Sequence, residues 1–363
     1  MKYPYAFILC LLGWLFTSCQ SIEPLSIDYL VPAEVSYPKE LKRVAVVNNM
    51  PTPKAANVKE EVAKENEYGV TFKTQRFAGQ PDVTVEVLAE ELANGNYFEQ
   101  VIICDSALRA QDQTPRKEAL TREEIQQLTE SLGVDFLIAL EDVHFLATRK
   151  VEFTPYYQAF LGVTDLKAYP TVSIYLPQRN GPTTSLQTND SIFWESFGSD
   201  ISQAANRLIP QKKMLKEASE FAGSIPAKTL LPHWKTAQRY IFAGGSAPMR
   251  DALIYIRENN WPEAINQWQK CYEQKKGKKK MQAAHNLAIG YEMQDSIPEA
   301  LEWARKAQKL AYECDKVEEK KNRQGINAAD APHYALTSFY VSELEKRNSD
   351  LLLLNIQMER FKE

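Results

Sequence analysis

An internal repeat in the last third of the chain constrains the fold more than any other feature of the sequence. Residues 261–265 (WPEAI) match residues 297–301 (IPEAL), and Ala264 and Ala300 stand 36 residues apart. In each copy a tyrosine stands nine residues before that alanine. Small side chains let paired helices approach closely, and a repeat of this length is one helical unit that stacks on its neighbour. Residues 247–312 are therefore predicted to be helical.

These residues resemble the tetratricopeptide repeat (TPR) family, whose period is about 34 residues. The resemblance implies two TPR-like repeats in residues 247–312, with the first helix of each repeat lining a peptide groove. Carried onto this sequence, the possible partner groove consists of Met249, Leu253, Ile256, Gln282, His285, Ile289 and Glu292.

Two repeats are fewer than the three or so that usually bury a continuous core. Residues 313–363 are therefore predicted to supply a capping helix region, centred on residues 332–357. The alternative to an open groove is that the repeats only brace the rest of the chain. In that case a helix from the same chain, most plausibly 332–357, lies across the groove.

The N-terminus reads as a targeting segment. Lys2 precedes an apolar run at residues 5–16, which has the length of a signal-peptide core and is short for a membrane span. The run ends in Phe-Thr-Ser-Cys at Cys19, which resembles the bacterial lipobox, although Phe16 stands where Leu is usual. The resemblance implies a signal peptide at residues 1–18 and lipidation of Cys19. The alternatives are an ordinary cleaved signal or a signal anchor, with Cys19 incidental.

The residues after Cys19 bear on localisation. Gln20 rather than Asp follows the cysteine, so the lipoprotein resemblance implies the outer membrane, on its periplasmic face. Residues 19–40 are predicted to be a lipidated tether that includes an edge strand, because Ile27 and Tyr29 alternate with Asp28. One predicted partner is therefore the membrane itself, which the protein contacts through its lipid anchor. Multiple acyl chains hold a protein stably at a bilayer.

Residues 41–210 have the pattern of an α/β domain. Residues 44–47 and 136–140 are apolar runs typical of buried strands, and Thr121 and Glu124 form a capping box for a helix between them. The predicted order is β-α-β-α-β-β-β-α, which is an α+β or α/β domain with a mixed sheet and helices. A helical connector at residues 211–246 leads to the all-α, TPR-like region.

The order of elements is similar to the small α/β domain at the N-terminus of the TolB translocation protein and in the curli-secretion lipoprotein. The residues that carry this likeness are 43–47 (RVAVV), 96–101 (NYFEQV) and 132–138 (LGVDFLI). The whole chain resembles a family of uncharacterised Gram-negative lipoproteins with a TPR-like C-terminal region. Neither resemblance assigns an activity.

Motifs for catalysis or cofactors are not found in the sequence. Its four histidines are scattered, and neither paired cysteines nor a phosphate-binding glycine loop occurs. No metal or cofactor is therefore predicted, and the chain is predicted not to be an enzyme. The competing hypothesis is a cell-wall or glycan hydrolase that uses Glu141 or Asp142 at the end of a central strand. Neighbours on a regular strand point to opposite faces, so these two carboxylates are not expected to share a substrate.

Two further segments have alternative interpretations. Residues 275–280 contain five lysines around Gly277, which suit either an anionic surface or a solvated loop. Residues 153–160 (FTPYYQAF) form either a recognition loop or an excursion that packs on the sheet. A net charge of −4 argues against nucleic-acid binding.

The sequence thus predicts a lipid-anchored envelope protein that acts as a non-enzymatic scaffold or adaptor for a protein or peptide partner. A structural subunit of an envelope secretion assembly is the alternative from another class. That alternative predicts residues 153–160 at a subunit interface or in the membrane.

Overall fold

The computed structural model describes residues 22–51, 61–110, 118–320 and 325–362, apart from the side chains of Asp105 and Ser106. Its strands are β1 (Ile22–Val31), β2 (Arg43–Pro51), β3 (Val62–Asn66), β4 (Gly69–Phe72), β5 (Gln75–Ala78), β6 (Gln100–Arg109), β7 (Phe136–Thr154), β8 (Ala159–Tyr175), β9 (Thr184–Gln187), β10 (Asp190–Gly198) and β11 (His233–Phe242). Its helices are α1 (Pro81–Asn94), α2 (Arg122–Leu132), α3 (Ile201–Asn206), α4 (Gln211–Ser224), α5 (Ala227–Leu230), α6 (Ala247–Arg257), α7 (Trp261–Gln274), α8 (Gly277–Glu292), α9 (Ile297–Cys314), α10 (Val317–Lys320) and α11 (Pro332–Met358).

These elements form two units. The sheet unit comprises Ala33–His233 and Gln357–Glu363, and the helical unit comprises Met1–Pro32 and Trp234–Ile356. The predicted fold class is confirmed, because a mixed sheet with helices is followed by an all-helical region from residue 247. The chain passes between the units three times, whereas the prediction had a single boundary between residues 210 and 247.

The sheet unit is built on nine strands with a parallel and an antiparallel half. Strand β2 pairs in parallel with β6 and β7, and β7, β8 and β10 pair antiparallel in that order. Successive residues of β2 enter different cores. Val44 and Val46 pack in the cluster that includes α1, and Ala45 and Val47 pack in the cluster that includes α2. Coverage on both faces explains why this strand is apolar throughout.

The sequence signals for the two ends of helix α2 are present in the structure. The capping box of α2 is present, with the Thr121 hydroxyl accepting from Glu124 N–H and the Glu124 carboxylate accepting from Thr121 N–H. Gly133 ends the same helix in the left-handed conformation, with φ of 66°.

The antiparallel half differs from the prediction. Strands β7 and β8 continue far beyond the predicted short strands and form one long hairpin that turns at residues 155–158. Residues 153–160 are therefore the tip of a hairpin rather than a separate loop. Strands β3, β4 and β5 lie between the first strand and the first helix of the predicted order β-α-β-α-β-β-β-α, where that order has no strand, and β4 and β5 both pair with β7. Their side chains are largely polar, so they lack the apolar signal of a strand.

In the helical unit, α6, α7, α8 and α9 follow one another through short turns and share two apolar clusters. Strands β1 and β11 pair as a two-stranded ribbon. The predicted helical connector at 211–246 is therefore corrected in its second half, where His233–Phe242 is a strand. That strand alternates buried and exposed residues only in part, which concealed it.

The C-terminal helix α11 packs in the helical unit through Tyr340, Val341 and Leu344. The last residues of the chain, from Gln357, belong to the sheet unit. The Gln357 side chain accepts a hydrogen bond from the N–H of Ala33 and donates one to its C=O, both at 2.9 Å. Within the described ranges, every helix is too short or too polar to cross a bilayer.

Candidate functional site

The predicted TPR groove is filled by other parts of the helical unit. Met249, Gln282, His285, Ile289 and Glu292 are buried, and Leu253 and Ile256 are partly buried. Ile289 belongs to a cluster with three residues of α11, and Leu253 and Ile256 pack against the same cluster. The structure thus corrects the expectation of an open groove and agrees with its stated alternative, a helix from the same chain lying across that face.

Glu292 is the centre of a buried charge cluster on this covered face. Its carboxylate accepts two hydrogen bonds from Arg239, both at 2.8 Å, one from Arg347 at 3.0 Å and one from the Tyr340 hydroxyl at 2.8 Å. Burial alone would raise the pKa of Glu292, but the bonds and charge of Arg239, followed by Tyr340 and Arg347, lower it below its ordinary value. Four donor groups therefore occupy this carboxylate, which has no capacity left to bind a partner.

His285 has a structural role of the same kind. Its Nε2 atom donates to the backbone oxygen of Tyr240 at 2.9 Å, and its ring contacts Phe242 and Tyr340. Burial lowers the pKa of His285 to about 4, so the ring is neutral near pH 7. A neutral, enclosed imidazole is not presented to a partner.

Glu141 and Asp142 lie at a β-bulge that the sequence did not reveal. Leu140 pairs with Val172 and Asp142 pairs with Thr171, so Glu141 is an extra residue in β7. Ile138 and Leu140 enter the same core as Val143 and Phe145, which shows that the bulge reverses the alternation. Both carboxylates therefore face away from that core. This corrects the expectation that they point to opposite faces.

The surroundings of Glu141 are hydrogen-bond donors. Tyr175 donates to its Oε1 atom at 2.6 Å, and Asn49 donates to its Oε2 atom at 2.7 Å. Arg109 Nε donates to Asn49 Oδ1 at 2.9 Å and its Nη1 atom donates to Glu124 at 3.0 Å. Asp142 lies 3.0 Å from the Nδ1 atom of His144. This network positions the ends of β2, β6 and β7 relative to one another.

Burial raises the pKa of Glu141 above its ordinary value, against the bonds from Tyr175 and Asn49 that favour the ionised form. Burial and the nearby carboxylate also raise the pKa of Tyr175. A raised carboxyl pKa suits a general acid, but the two described donors already occupy this carboxylate. Over the described part of the chain, no group of three or more His, Cys, Asp and Glu side chains could hold a metal ion.

The antiparallel half of the sheet has one face without a helix on it in the described structure. Gly162, Thr164, Leu166 and Ala168 of β8 are buried, and the residues between them are partly or fully exposed. The buried side packs on α3 and α4, through clusters that include Ala204 and Met214. We call the other side the open sheet face.

Exposed aromatic side chains lie on this face and at the tip of the β7–β8 hairpin. Tyr156 is 86% exposed, Tyr157 59%, Phe193 64% and Phe197 42%. The rings of Tyr156 and Tyr157 lie 4.8 Å apart, and those of Tyr157 and Phe197 lie 5.4 Å apart. We call these four residues the aromatic patch. Phe153 and Phe160 are only partly exposed and pack on each other, with ring centres 5.4 Å apart.

Strand β10, which carries half of the patch, is the last strand on its side of the sheet. Its nine residues pair with β8 without a register shift, and they include neither proline nor lysine, the residues that usually protect an edge. An edge strand with two exposed phenylalanines is a surface on which another chain can pack.

Sequence reasoning found half of this patch. Residues 153–160 stand out in the sequence as an aromatic segment, whereas Phe193 and Phe197 are not among the predicted site residues. A signal was available in the sequence: Ile192 and Trp194 alternate with Phe193, so β10 is apolar on both faces. A strand covered on one side only has no structural need for that pattern. Cys19, the predicted lipidation site, lies outside the described residues.

Comparison with known proteins agrees with the division into two parts. A family model described as a domain of unknown function, DUF8603, matches residues 41–242, and a second one, DUF6340, matches residues 250–346. No curated protein and no solved structure matches the chain. The TPR and lipoprotein resemblances therefore stay predictions.

Proposed function

Because the chain belongs to the family of the domain of unknown function DUF8603, which names no activity, we propose its function from its surfaces. We infer that it is a lipid-anchored envelope protein, on the periplasmic side of the outer membrane, that binds a protein partner through the aromatic patch. The exposure of Tyr156, Tyr157, Phe193 and Phe197 on a rigid hairpin and its neighbouring strand carries this proposal.

The physical argument is the cost of that exposure. Large aromatic side chains contribute most to binding energy at interfaces, and monomeric proteins rarely expose them together. Lys150 and Asp165 lie beside the patch on the same face, and Glu195 lies between Phe193 and Phe197 on β10. Aromatic residues are enriched at protein interfaces, which as a whole are about as polar as the rest of the surface. The predicted groove residues are buried or partly buried and offer no comparable surface. We therefore assign the proposed scaffold function to the sheet unit.

Variants of the hairpin tip test the protein-binding part. Tyr156→Ser with Tyr157→Ser should leave thermal stability within about 0.5 kcal/mol of wild type, because exposed substitutions cost little. The same variant should lose the partner recovered by crosslinking in cells and mass spectrometry of the tagged protein. Ile254→Ser with Leu352→Ser, which removes two exposed apolar side chains of the helical unit, is the matched control. Loss of the partner in the control alone would reject the patch.

Metabolic labelling tests the anchor. With a clickable fatty acid, the wild type should be labelled and fractionate with membranes, because two or more acyl chains hold a protein stably. Cys19→Ala should remove the label and leave an unprocessed precursor or a soluble product. Equal labelling of the two proteins would contradict the lipoprotein assignment.

A second occupant of the patch is another copy of this chain, as the secretion-assembly alternative requires. The same crosslinking experiment distinguishes the two, because a self-assembling subunit gives adducts of twice its own mass. For the hydrolase alternative, the hydrogen bonds that engage Glu141 favour a structural role.

A further inference from the structure

The start of β1 lies at a defined end of the helical unit. Side-chain bonds fix the register of the ribbon: Thr236 donates to Asp28 at 2.6 Å and Gln238 donates to Ser26 at 2.9 Å. Both pairs fit one antiparallel register, which brings Ile22 beside Phe242. The first described residue of the chain is therefore next to the last residue of β11.

The lysine-rich segment lies at the same end. Asn286 of α8 fixes the end of β11 by bonding both the N–H and the C=O of Phe242 at 2.9 Å. Three residues further on, the Cε atom of Lys279 is 3.9 Å from the position that a Cβ atom would take on Gly245. Residues 275–280 thus lie near the segment that follows β11, whose last residue is beside the start of β1.

This surface carries a cluster of positive charge. Lys276, Lys278 and Lys279 are exposed, and Lys280 stacks on the ring of Tyr272 at 4.4 Å. None of the five lysines forms an ion pair with another described residue. Exposed Ile22 and Tyr240 add apolar surface at this end of the ribbon.

The covalent chain limits how far this surface can be from the anchor. Only Gln20 and Ser21 separate Cys19 from Ile22, and an extended chain spans at most about 3.6 Å per residue. The Cα atom of Ile22 therefore lies within roughly 11 Å of the Cα atom of Cys19, whose Sγ atom would carry the glycerol group.

We propose that Ile22, Tyr240, Lys276, Lys278 and Lys279 form a membrane-docking face that binds anionic phospholipid headgroups. The proposal rests on the lipid anchor of the proposed function for its location, and on the lysine cluster for its chemistry. It adds an orientation to the proposed function: the helical unit meets the membrane with its lysine face, and the aromatic patch belongs to the other unit.

Vesicle binding by the unlipidated protein tests the face without the anchor. The mature chain from residue 19, carrying Cys19→Ser, should co-sediment with vesicles of phosphatidylcholine containing 30% phosphatidylglycerol in a salt-dependent manner. It should not co-sediment with pure phosphatidylcholine. Each lysine near an anionic surface contributes about fivefold in binding, so Lys276→Gln, Lys278→Gln and Lys279→Gln together should weaken it roughly 100-fold.

Lys212→Gln, Lys213→Gln and Lys216→Gln give a matched control with the same change of net charge on an exposed helix of the sheet unit. This control should bind like the parent. Equal loss in both triple variants, or equal binding to both kinds of vesicle, would overturn the proposal. Binding to an anionic wall polymer but to neither vesicle would overturn it as well.

The two proposals fail separately. If Cys19 is not labelled with fatty acid but the chain binds anionic vesicles through the three lysines, the docking face stands and the anchor does not. If Cys19 is labelled and the vesicle experiment fails, the anchor stands and the docking face is rejected.

Discussion

Glu292 is a buried carboxylate that two buried arginines and a tyrosine keep ionised. Its side chain is 0% exposed, and Arg239 and Arg347, both nearly as buried, bond to it. Such a cluster adds little stability over an apolar one, but the loss of one partner leaves the others as uncompensated buried charges. The resemblance to the TPR family places Glu292 and His285 in a binding groove. That resemblance cannot reveal that Arg239, on a distant strand, bonds to the glutamate.

Removing the charge of Glu292 is therefore expected to be costly. Glu292→Gln should lower the free energy of unfolding by about 3–5 kcal/mol, because Arg239 and Arg347 remain buried without a carboxylate. Denaturant unfolding would measure the loss. Glu345→Gln, which breaks the exposed pair with Arg305 at 2.9 Å, is the control and should cost no more than about 1 kcal/mol.

The same residue gives the wild type a pH dependence. The pKa of Glu292 is lowered in the folded state, so its stabilising contribution is complete above the unfolded-state pKa. That contribution is lost as the pH falls through the lower, folded-state pKa. Below about pH 4.5, wild type should lose stability more steeply than Glu292→Gln. Parallel curves for the two proteins would contradict the assignment of the charge to Glu292.

At the scale of elements, the sequence predicts best where local signals are complete. Thr121 and Glu124 define the start of α2 without any tertiary information, and the alanines at 264, 300 and 304 predict closely packed helices. The β-bulge at Glu141 could not be predicted, because it depends on the register between β7 and β8. The polar strands β3, β4 and β5 were missed because they gain stability by pairing with β7 rather than by burying apolar side chains.

A single substitution tests the close packing of the helices. Ala300 is fully buried against Ile289 and Leu344, so Ala300→Trp should destabilise the helical unit by about 3 kcal/mol, at the high end for overpacking. Glu299→Trp, at the neighbouring exposed position, should change stability by no more than about 0.5 kcal/mol. Hydrogen exchange resolved by peptide should report faster exchange in residues 247–314 and unchanged exchange in 43–51. A uniform increase would mean that the two units unfold together.

For the whole molecule, the path of the chain explains why the division into units was only partly predictable. The sheet unit is inserted between β1 and β11, which are neighbours in the ribbon although about 200 residues separate them. Chain ends that lie side by side tolerate a domain insertion. A sequence window sees neither the pairing of two such distant strands nor the return of Gln357 to the sheet unit. The predicted boundary between residues 210 and 247 follows from proline and glycine content and includes the crossing after His233. The first crossing follows Pro32, whereas the crossing before Gln357 lies inside helix α11 and has no such marker.

The insertion also separates the two proposed surfaces along the chain. The membrane-docking face consists of residues from the helical unit. The four residues of the aromatic patch lie between positions 156 and 197, in the sheet unit. One unit is thus available for the membrane while the other is available for a partner. We propose that the aromatic patch, and not the helical repeat, contacts that partner.

Site-specific photocrosslinking in cells distinguishes the aromatic patch from the helical repeat as the surface that contacts the partner. A benzophenone amino acid would replace Tyr157 or Phe193 in the patch, and Ile254 or Leu352 in the helical unit, one position at a time. All four side chains are exposed, so each variant should fold. We expect an adduct of one discrete mass from positions 157 and 193 and none from positions 254 and 352. Adducts from 254 or 352 with none from the patch would contradict the proposal.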